Sequence, residues 1–383
     1  MVLGCANRAG GMRMLLTSCS YIPLELPLAA GLPAKRLFVL DGAEVDADGL
    51  LPRDFCPYAR ALMREYDPGD VLAIAGSCDA MRRAYDAIRY WGLAADVFYL
   101  DVPRTADEAA VDYFAGELRQ MARHIGVVGP AGQVEEQSLR LACEAMNKAR
   151  AAMAETARSL EEGTLRASRL LQAIMDVNEL MGDVARWGMT WDREEGFGRE
   201  VCDALTRAVR AEIEKALSVS VQPPALAGRV RVGVSGTCLL DLSVVECIEE
   251  AGLEPVFIDS CMCQRVYDFS VDVNPSYDIY MELARSYLSK PGCPRMFTGD
   301  ERIARLGALA AMYGAKGLVY FAPKFCDLGY YDFPDVKRGL RESFGLPSLL
   351  LEGEYGAGRT GQVLTRAVAF REMLEGRGEP SGA

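Results

Sequence analysis

The sequence predicts an α/β protein: two α/β domains with parallel sheets, and a helical segment between them. Three observations predict it. Short apolar runs without polar alternation, such as VLAIA at 71–75 and GLVYF at 317–321, have the length and continuity of strands buried on both faces. Such runs alternate with amphipathic stretches at the spacing of βαβ units. A long middle stretch is rich in Ala, Glu, Arg, Leu and Met and poor in strand formers, which is the composition of helices.

Taken in order, the N-terminal segment reads as a loop rich in Gly and small residues. Residues 36–41 (RLFVLD) read as a short buried strand, as do 71–75 and 97–102. Between the last two, residues 80–92 place Met81, Ala84, Tyr85, Ile88 and Trp91 on one helical face. Strand, helix and strand at this spacing make 1–104 the first α/β domain. Residues 105–217 form the helical segment, broken near Gly126–Gly132 and Gly188–Gly198. Residues 218–228 (SVSVQPPALAG) are a linker, because paired prolines cannot continue a helix. The second α/β domain, 229–383, has strands at 229–234, 255–259, 317–321 and 348–352. Helices near 243–252, 277–288, 301–313 and 336–344 separate them, and one at 361–375 closes the chain. Both halves run short strand, cysteine-bearing turn, helix.

At 383 residues the chain exceeds one ordinary core. Half its residues are hydrophobic and a quarter charged, which is ordinary for a soluble globular protein. A net charge of -12 provides no basic excess for a nucleic-acid backbone, so nucleic acid is not an expected partner. No apolar stretch reaches membrane-spanning length, so no membrane is expected either. The N-terminus lacks a charged segment followed by an apolar one. Leu3-Gly4-Cys5-Ala6 resembles a lipoprotein cleavage box, but too few residues precede it. A cytoplasmic location is therefore expected, where thiols stay reduced and twelve cysteines do not form a disulfide framework. There is no GxxxxGK[ST] loop, and Gly233-Val-Ser-Gly236 lacks the third glycine of a dinucleotide fingerprint. A single histidine, His124, excludes a catalytic triad and a histidine-rich zinc site, and reads as a solvated or capping residue.

The cysteines carry the chemistry. Cys78, Cys238, Cys261 and Cys326 each follow an apolar run, and the carboxyl ends of strands are where open α/β sheets bind ligands. Thiols converging with almost no imidazole point to iron–sulfur. Zinc-ribbon spacing is missing, and Cys261-Met-Cys263 is the one tight pair. Cys143, Cys202 and Cys247 lie inside helical patterns and read as small core residues.

Three motifs resemble the cysteine motifs of the 2-hydroxyacyl-CoA dehydratase and benzoyl-CoA reductase family: Asp54-Phe-Cys-Pro-Tyr-Ala-Arg60, Gly76-Ser-Cys-Asp-Ala-Met-Arg82 and Lys324-Phe-Cys-Asp327. Residues 345–355 (GLPSLLLEGEY) with 361–374 resemble the family's C-terminal strand and helix. Tyr21-Ile-Pro-Leu-Glu25 with 29–33 (AAGLP) resembles its N-terminal motif, so the likeness runs nearly end to end. The resemblance implies two Rossmann-like domains, an iron–sulfur cluster in the cleft, and electrons from a separate ATP-hydrolysing iron–sulfur activator. Family subunits with one [4Fe–4S] cubane need only Cys56, Cys78 and Cys326. Here Cys238, Cys261 and Cys293 also resemble the extra positions of the double-cubane branch, in which six cysteines of one chain hold an [8Fe–9S] cluster. The local words depart from that branch: Cys238 is displaced from its usual spacing, and Cys263 competes with Cys261. Glu25 is by resemblance the proton donor; the plain alternative is a helix-start carboxylate stabilised by the dipole.

The resemblance thus implies an oxygen-sensitive, ATP-dependent, low-potential reductase component acting on a small substrate. A homodimer is expected, since one chain carries all six ligands. Two other readings stand beside it. One is a single-cubane 2-hydroxyacyl-CoA dehydratase subunit with a non-identical partner. The other is a non-catalytic iron–sulfur relay or assembly protein.

Overall fold

The computed structural model describes residues 13–38, 47–125, 136–161, 163–187, 197–218, 228–239, 241–356 and 360–376. The first half builds strand β1 (Leu15–Thr17), helix α1 (Glu25–Ala29), β2 (Ala34–Arg36), α2 (Pro57–Ala61), β3 (Val71–Ala75), α3 (Asp79–Trp91) and β4 (Asp96–Leu100). Its sheet is wholly parallel, in the order β2-β1-β3-β4. Helices α4 (Glu108–His124), α5 (Glu136–Glu161), α6 (Ala167–Met181) and α7 (Arg199–Ser218) follow. The second half runs β5 (Val230–Gly236), α8 (Ser243–Glu250), β6 (Leu253–Asp259), α9 (Gln264–Tyr267), α10 (Ile279–Ser289), α11 (Gly299–Met312), β7 (Gly317–Pro323), α12 (Asp327–Phe344), β8 (Ser348–Gly353) and α13 (Gly361–Gly376). Its sheet is also parallel, in the order β6-β5-β7-β8.

The two sheets therefore share one topology. In each, the second strand lies on one side of the first and the third strand on the other. The winding reverses between β1 and β3 and again between β5 and β7, and such switch points are where open α/β sheets bind ligands. β3 and β7 sit inside their sheets with every residue buried, as their unbroken apolar runs require. Helix starts are marked by carboxylates. Asp278 accepts from the N–H groups of Tyr280 and Met281 to begin α10, and Asp107 from that of Ala110 to begin α4.

The helical segment joins the halves. α5 packs on α1 from the first half and on β6 and α9 from the second, while α6 packs on β2 and β6. Asn178 of α6 closes the outer edge of β2. Its side chain accepts from the Arg36 N–H and donates to the Arg36 carbonyl, each at 2.9 Å. One apolar core runs from the first sheet through α5, α6 and α7 to the second sheet. A smaller core, including Val256, Leu306, Leu318, Tyr320 and Leu340, lies between the second sheet and helices α11 and α12. Among the described residues no helix is long and apolar enough to cross a membrane.

The predicted α/β class with parallel sheets is what the chain adopts, but several elements differ from expectation. The N-terminal segment read as loop contains β1, an inner strand of the first sheet, and α1. Three strand residues are too few to show a period. β2 begins at Ala34 instead of 36, because pairing with β1 sets its register (Leu15 opposite Ala34). The ladder continues through the Leu37 N–H to the Thr17 carbonyl at 2.8 Å, and residues 39–41 lie outside the described ones. α12 starts at Asp327 instead of 336, with Pro334 inside it, where a missing N–H ordinarily ends a helix. The helix breaks expected near 126–132 and 188–198, most of the 218–228 linker, and Cys5 fall wholly or largely outside the described residues.

Candidate metal centre

Each sheet delivers cysteines at matching places. Cys19 stands two residues past Thr17, the end of β1, and Cys238 two past Gly236, the end of β5. Cys78 stands three past Ala75, the end of β3, and Cys326 three past Pro323, the end of β7. Cys78 and Cys326 directly precede α3 and α12, and Cys56 precedes α2. A helix start presents unpaired N–H groups and the positive end of the dipole, both of which favour a thiolate. The N–H groups of Met81 and Ala80 act on Cys78 in this way, and those of Gly329 and Leu328 on Cys326, without closing a capping hydrogen bond.

The backbone is shaped for these turns. Phe325, at φ 58°, is the one described non-glycine residue in the left-handed region, and it leads the chain into Cys326. At the end of β5, a Cβ on Gly236 would lie 1.9 Å from the Phe321 carbonyl oxygen, so only glycine fits where the chain turns towards Cys238. The Cys326 sulfur lies 3.7 Å from the Thr237 hydroxyl, which sets the loops after β5 and β7 side by side.

Burial divides the cysteines. Cys19, Cys56, Cys78, Cys238, Cys261, Cys293 and Cys326 are half-buried, whereas Cys143, Cys202, Cys247 and Cys263 are buried. The helical Cys143, Cys202 and Cys247 are core residues, as their patterns suggested. Cys263, the rival of Cys261, lies under the start of α9 with its sulfur 3.7 Å from the Tyr267 hydroxyl, and burial pushes its thiol up to about 12. Cys261 differs in kind. A hydrogen bond with Cys238 and the Arg36 guanidinium, which donates to its sulfur at 3.2 Å, hold its thiol well below the ordinary value.

The half-buried thiols share one electrostatic neighbourhood. Cys56 interacts with Cys326 and Cys78, Cys78 with Cys326 and Cys19, and Cys293 with Cys19. Tyr355 stands in the field of both Cys238 and Cys56. Burial pushes Cys56 up to about 12 and Cys78 to about 11, and raises Cys293 and Cys326. Such thiols ionise only when a positive charge binds them, which is how metal binding couples to proton release. The buried hydroxyls of Tyr21 and Tyr355 have no hydrogen-bond partner among the described residues. Bare donors in a buried site call for an acceptor, and cluster and thiolate sulfurs accept. The residues present therefore fit an iron–sulfur group. No three described His, Cys, Asp or Glu side chains are grouped to hold one metal ion. A cubane makes a different demand, because its thiolates bind separate irons.

Basic side chains join the two rims. Arg36, at the end of β2, donates to the carbonyl as well as the sulfur of Cys261. Arg295, two residues past Cys293, donates to the carbonyls of Val102 at 2.5 Å and Pro103 at 2.8 Å, in the loop after β4. Lys290 is buried, donates to the carbonyl and hydroxyl of Ser20, and lies 4.2 Å from the centre of the Tyr21 ring. Burial lowers it to about 7, against the opposing pull of Cys19 and Cys293. Asp259 and Arg265 form a fully buried pair, Oδ2 to Nη2 at 2.6 Å, that fixes the Cys261 turn after β6. Burial alone would raise Asp259, but Arg265 outweighs it and holds the carboxyl at about 2.

Glu25 begins α1 and is wholly buried. Its carboxylate accepts from Arg150 of α5 and, at 2.7 Å, from the Tyr287 hydroxyl of α10. Lys290, 5.1 Å from the Tyr287 ring, connects this group to the cysteines. His124 ends α4 and pairs with Asp96 at 2.6 Å. The structure thus brings the six sequence-predicted cysteines into one region. It adds Cys19, Arg36, Lys290 and Tyr21, which sequence reasoning missed. Cys19 had a signal, a position just past a strand, but that strand had gone unrecognised.

The chain belongs to the family described as 2-hydroxyglutaryl-CoA dehydratase, D-component, which matches residues 19–374. It is 24% identical over 379 residues to YjiM of Escherichia coli strain K12, provisionally named a dehydratase subunit, covering 95% of this chain and 92% of that one. It is 21% identical over 361 residues to the (R)-phenyllactyl-CoA dehydratase beta subunit of Clostridium sporogenes, covering 92% of this chain and 90% of that one.

Proposed function

We propose that the chain is the iron–sulfur component of an ATP-coupled, low-potential system. In this reading Cys56, Cys78, Cys238, Cys261, Cys293 and Cys326 hold a double-cubane [8Fe–9S] cluster. A separate ATP-hydrolysing iron–sulfur activator supplies electrons, and a small substrate is reduced. The observation that carries the reading is the set of seven half-buried thiols on loops of both halves, more than the three that one cubane needs from such a chain. A bound cluster would supply electrons at low potential.

The chain's own residues then have definite tasks. The helix starts at Cys78 and Cys326 stabilise thiolates. Arg36 offsets negative charge at Cys261, and the hydroxyls of Tyr21 and Tyr355 donate to sulfur. Glu25 is the proposed proton donor, and Arg150 and Tyr287, hydrogen-bonded to it, hold its carboxyl group in place. Protein with six ligands in one chain has no need of a different subunit, so a homodimer is expected by light scattering.

The second reading is a single-cubane dehydratase subunit with a non-identical partner. The names of both relatives favour it. The experiment is to mix anaerobically purified protein with an ATP-hydrolysing iron–sulfur activator, a reductant and ATP, and to record the electron paramagnetic resonance spectrum. The proposal expects ATP-dependent reduction of the protein without any further subunit. A spectrum indifferent to ATP would overturn it. Reduction that needs a co-purified, different subunit would put the dehydratase reading in its place.

A further inference from the structure

We infer that Cys19 supplies a further thiolate to the cluster site, as the first-sheet counterpart of Cys238. The inference rests on the iron–sulfur reading above. Its first support is topological. β1 and β5 occupy the same place in sheets of the same order, and Cys19 and Cys238 follow them at the same distance. Cys78 and Cys326 repeat the correspondence after β3 and β7. Three of these four cysteines already belong to the proposed ligand set.

The second support is the bracing on either side of Cys19. The Ser18 N–H donates to the Ala73 carbonyl at 3.1 Å, and the Ser18 hydroxyl accepts from the Ala75 N–H at 3.1 Å. This pins Ser18 to the end of β3, three residues before Cys78. The Ser18 carbonyl accepts from the Tyr58 hydroxyl at 2.7 Å, which ties it to the helix that follows Cys56. On the other side, Ser20 accepts from Lys290, three residues before Cys293. Cys19 is thus held among the loops that carry Cys56, Cys78 and Cys293, and it interacts with both Cys78 and Cys293.

The third support is Tyr21. This side chain is 1% exposed, its hydroxyl has no hydrogen-bond partner among the described residues, and the nearby thiols that act on it are Cys293 and Cys19. A sulfur ligated between those cysteines would satisfy it. As a plain packing residue Cys19 would resemble Cys143 and Cys202, which are fully buried in helices; it is instead half-buried on a loop. With Cys19 included, seven thiols face the site, one more than the six of the double-cubane pattern. This modifies the six-cysteine set above: with Cys19 ligating, Cys238 and Cys261, joined by a hydrogen bond, supply one ligand between them.

The test uses the full chain, purified without oxygen. Cysteines are alkylated with iodoacetamide before and after the iron is stripped with a chelator, and the labelled peptides are read by mass spectrometry. Cys19 should be protected while iron is bound and labelled once it is removed, in step with Cys78, while Cys143 stays unlabelled throughout. In parallel, Cys19→Ala should lower iron per chain by about half or more and alter the resonance spectrum. If wild-type protein holds iron and Cys78 is protected by it, but Cys19 labels equally in both states or Cys19→Ala keeps all its iron, the inference is overturned and the iron–sulfur reading stands. If wild-type protein holds no iron, the iron–sulfur reading itself fails.

Discussion

The first and second sheets share strand order and cysteine offsets, yet they hold their rims by different means. In the second sheet β5 and β6 span seven residues each; backbone geometry positions the first turn, where Gly236 fits against Phe321, and the buried Asp259–Arg265 side-chain pair locks the next. In the first sheet β1 and β2 span three residues each. Their rim depends on side chains: Ser18 directly after β1, Tyr58 from α2 and Asn178 from α6. The chemistry is complementary too. Past its second strand the second sheet offers the thiol of Cys261, and the first sheet offers Arg36, which reaches across to it. A repeated topology has been used once for sulfur and once for the charge that balances it.

Four changes sharpen or break this comparison. The largest effect should come from the paired cysteines. Cys78→Ala and Cys326→Ala, at matching positions, should each remove most of the iron, whereas Cys143→Ala should retain it. Iron analysis of the three variants decides, and full iron in Cys78→Ala would end the correspondence.

Next is Asp259→Ala, which strands the buried Arg265 guanidinium and should cost about 3–5 kcal/mol in urea unfolding. The same pair sets a pH dependence. Asp259 is held at about 2, below its ordinary 3.8, so its stabilising contribution is complete above the ordinary value and fades as pH falls through about 2. Asp259→Asn should therefore flatten the acid limb of the stability curve.

Gly236→Ala ranks third, at roughly 3 kcal/mol, since its Cβ would meet backbone that cannot yield. Gly76→Ala, at the rim of the first sheet, should cost less. There a Cβ would come 2.3 Å from the hydroxyl tip of Tyr99, which is able to move. Equal costs would remove the distinction between backbone and side-chain positioning. The smallest effect is Ser18→Ala, about 1–2 kcal/mol, from leaving the Ala75 N–H without its acceptor. Chemical denaturation of the metal-free protein measures all three stabilities.

Much of this architecture was legible in the sequence, for physical reasons that also explain the gaps. β3 and β7 are buried on both faces, so continuous apolar runs betrayed them. The cysteines at their ends could then be placed on a ligand-binding edge. β1 was invisible because three residues carry no period, and Cys19 was lost with it. Pro334 hid the first part of α12, since a proline ordinarily ends a helix and here packing overrides it. Glu25 could be named from its motif. Its burial against Arg150 and Tyr287 could not, because those partners come from 125 and 262 residues away in the chain. Burial is likewise what separates Cys261 from Cys263, two residues that the sequence alone leaves equivalent.

The central claim is that both sheets deliver thiolates to one double cluster. Iron and acid-labile sulfide, counted per chain on protein purified without oxygen, test it most directly. The account predicts about eight irons per chain. A value near four, unchanged by Cys238→Ala, Cys261→Ala or Cys293→Ala, would contradict it and leave a single cubane held by Cys56, Cys78 and Cys326.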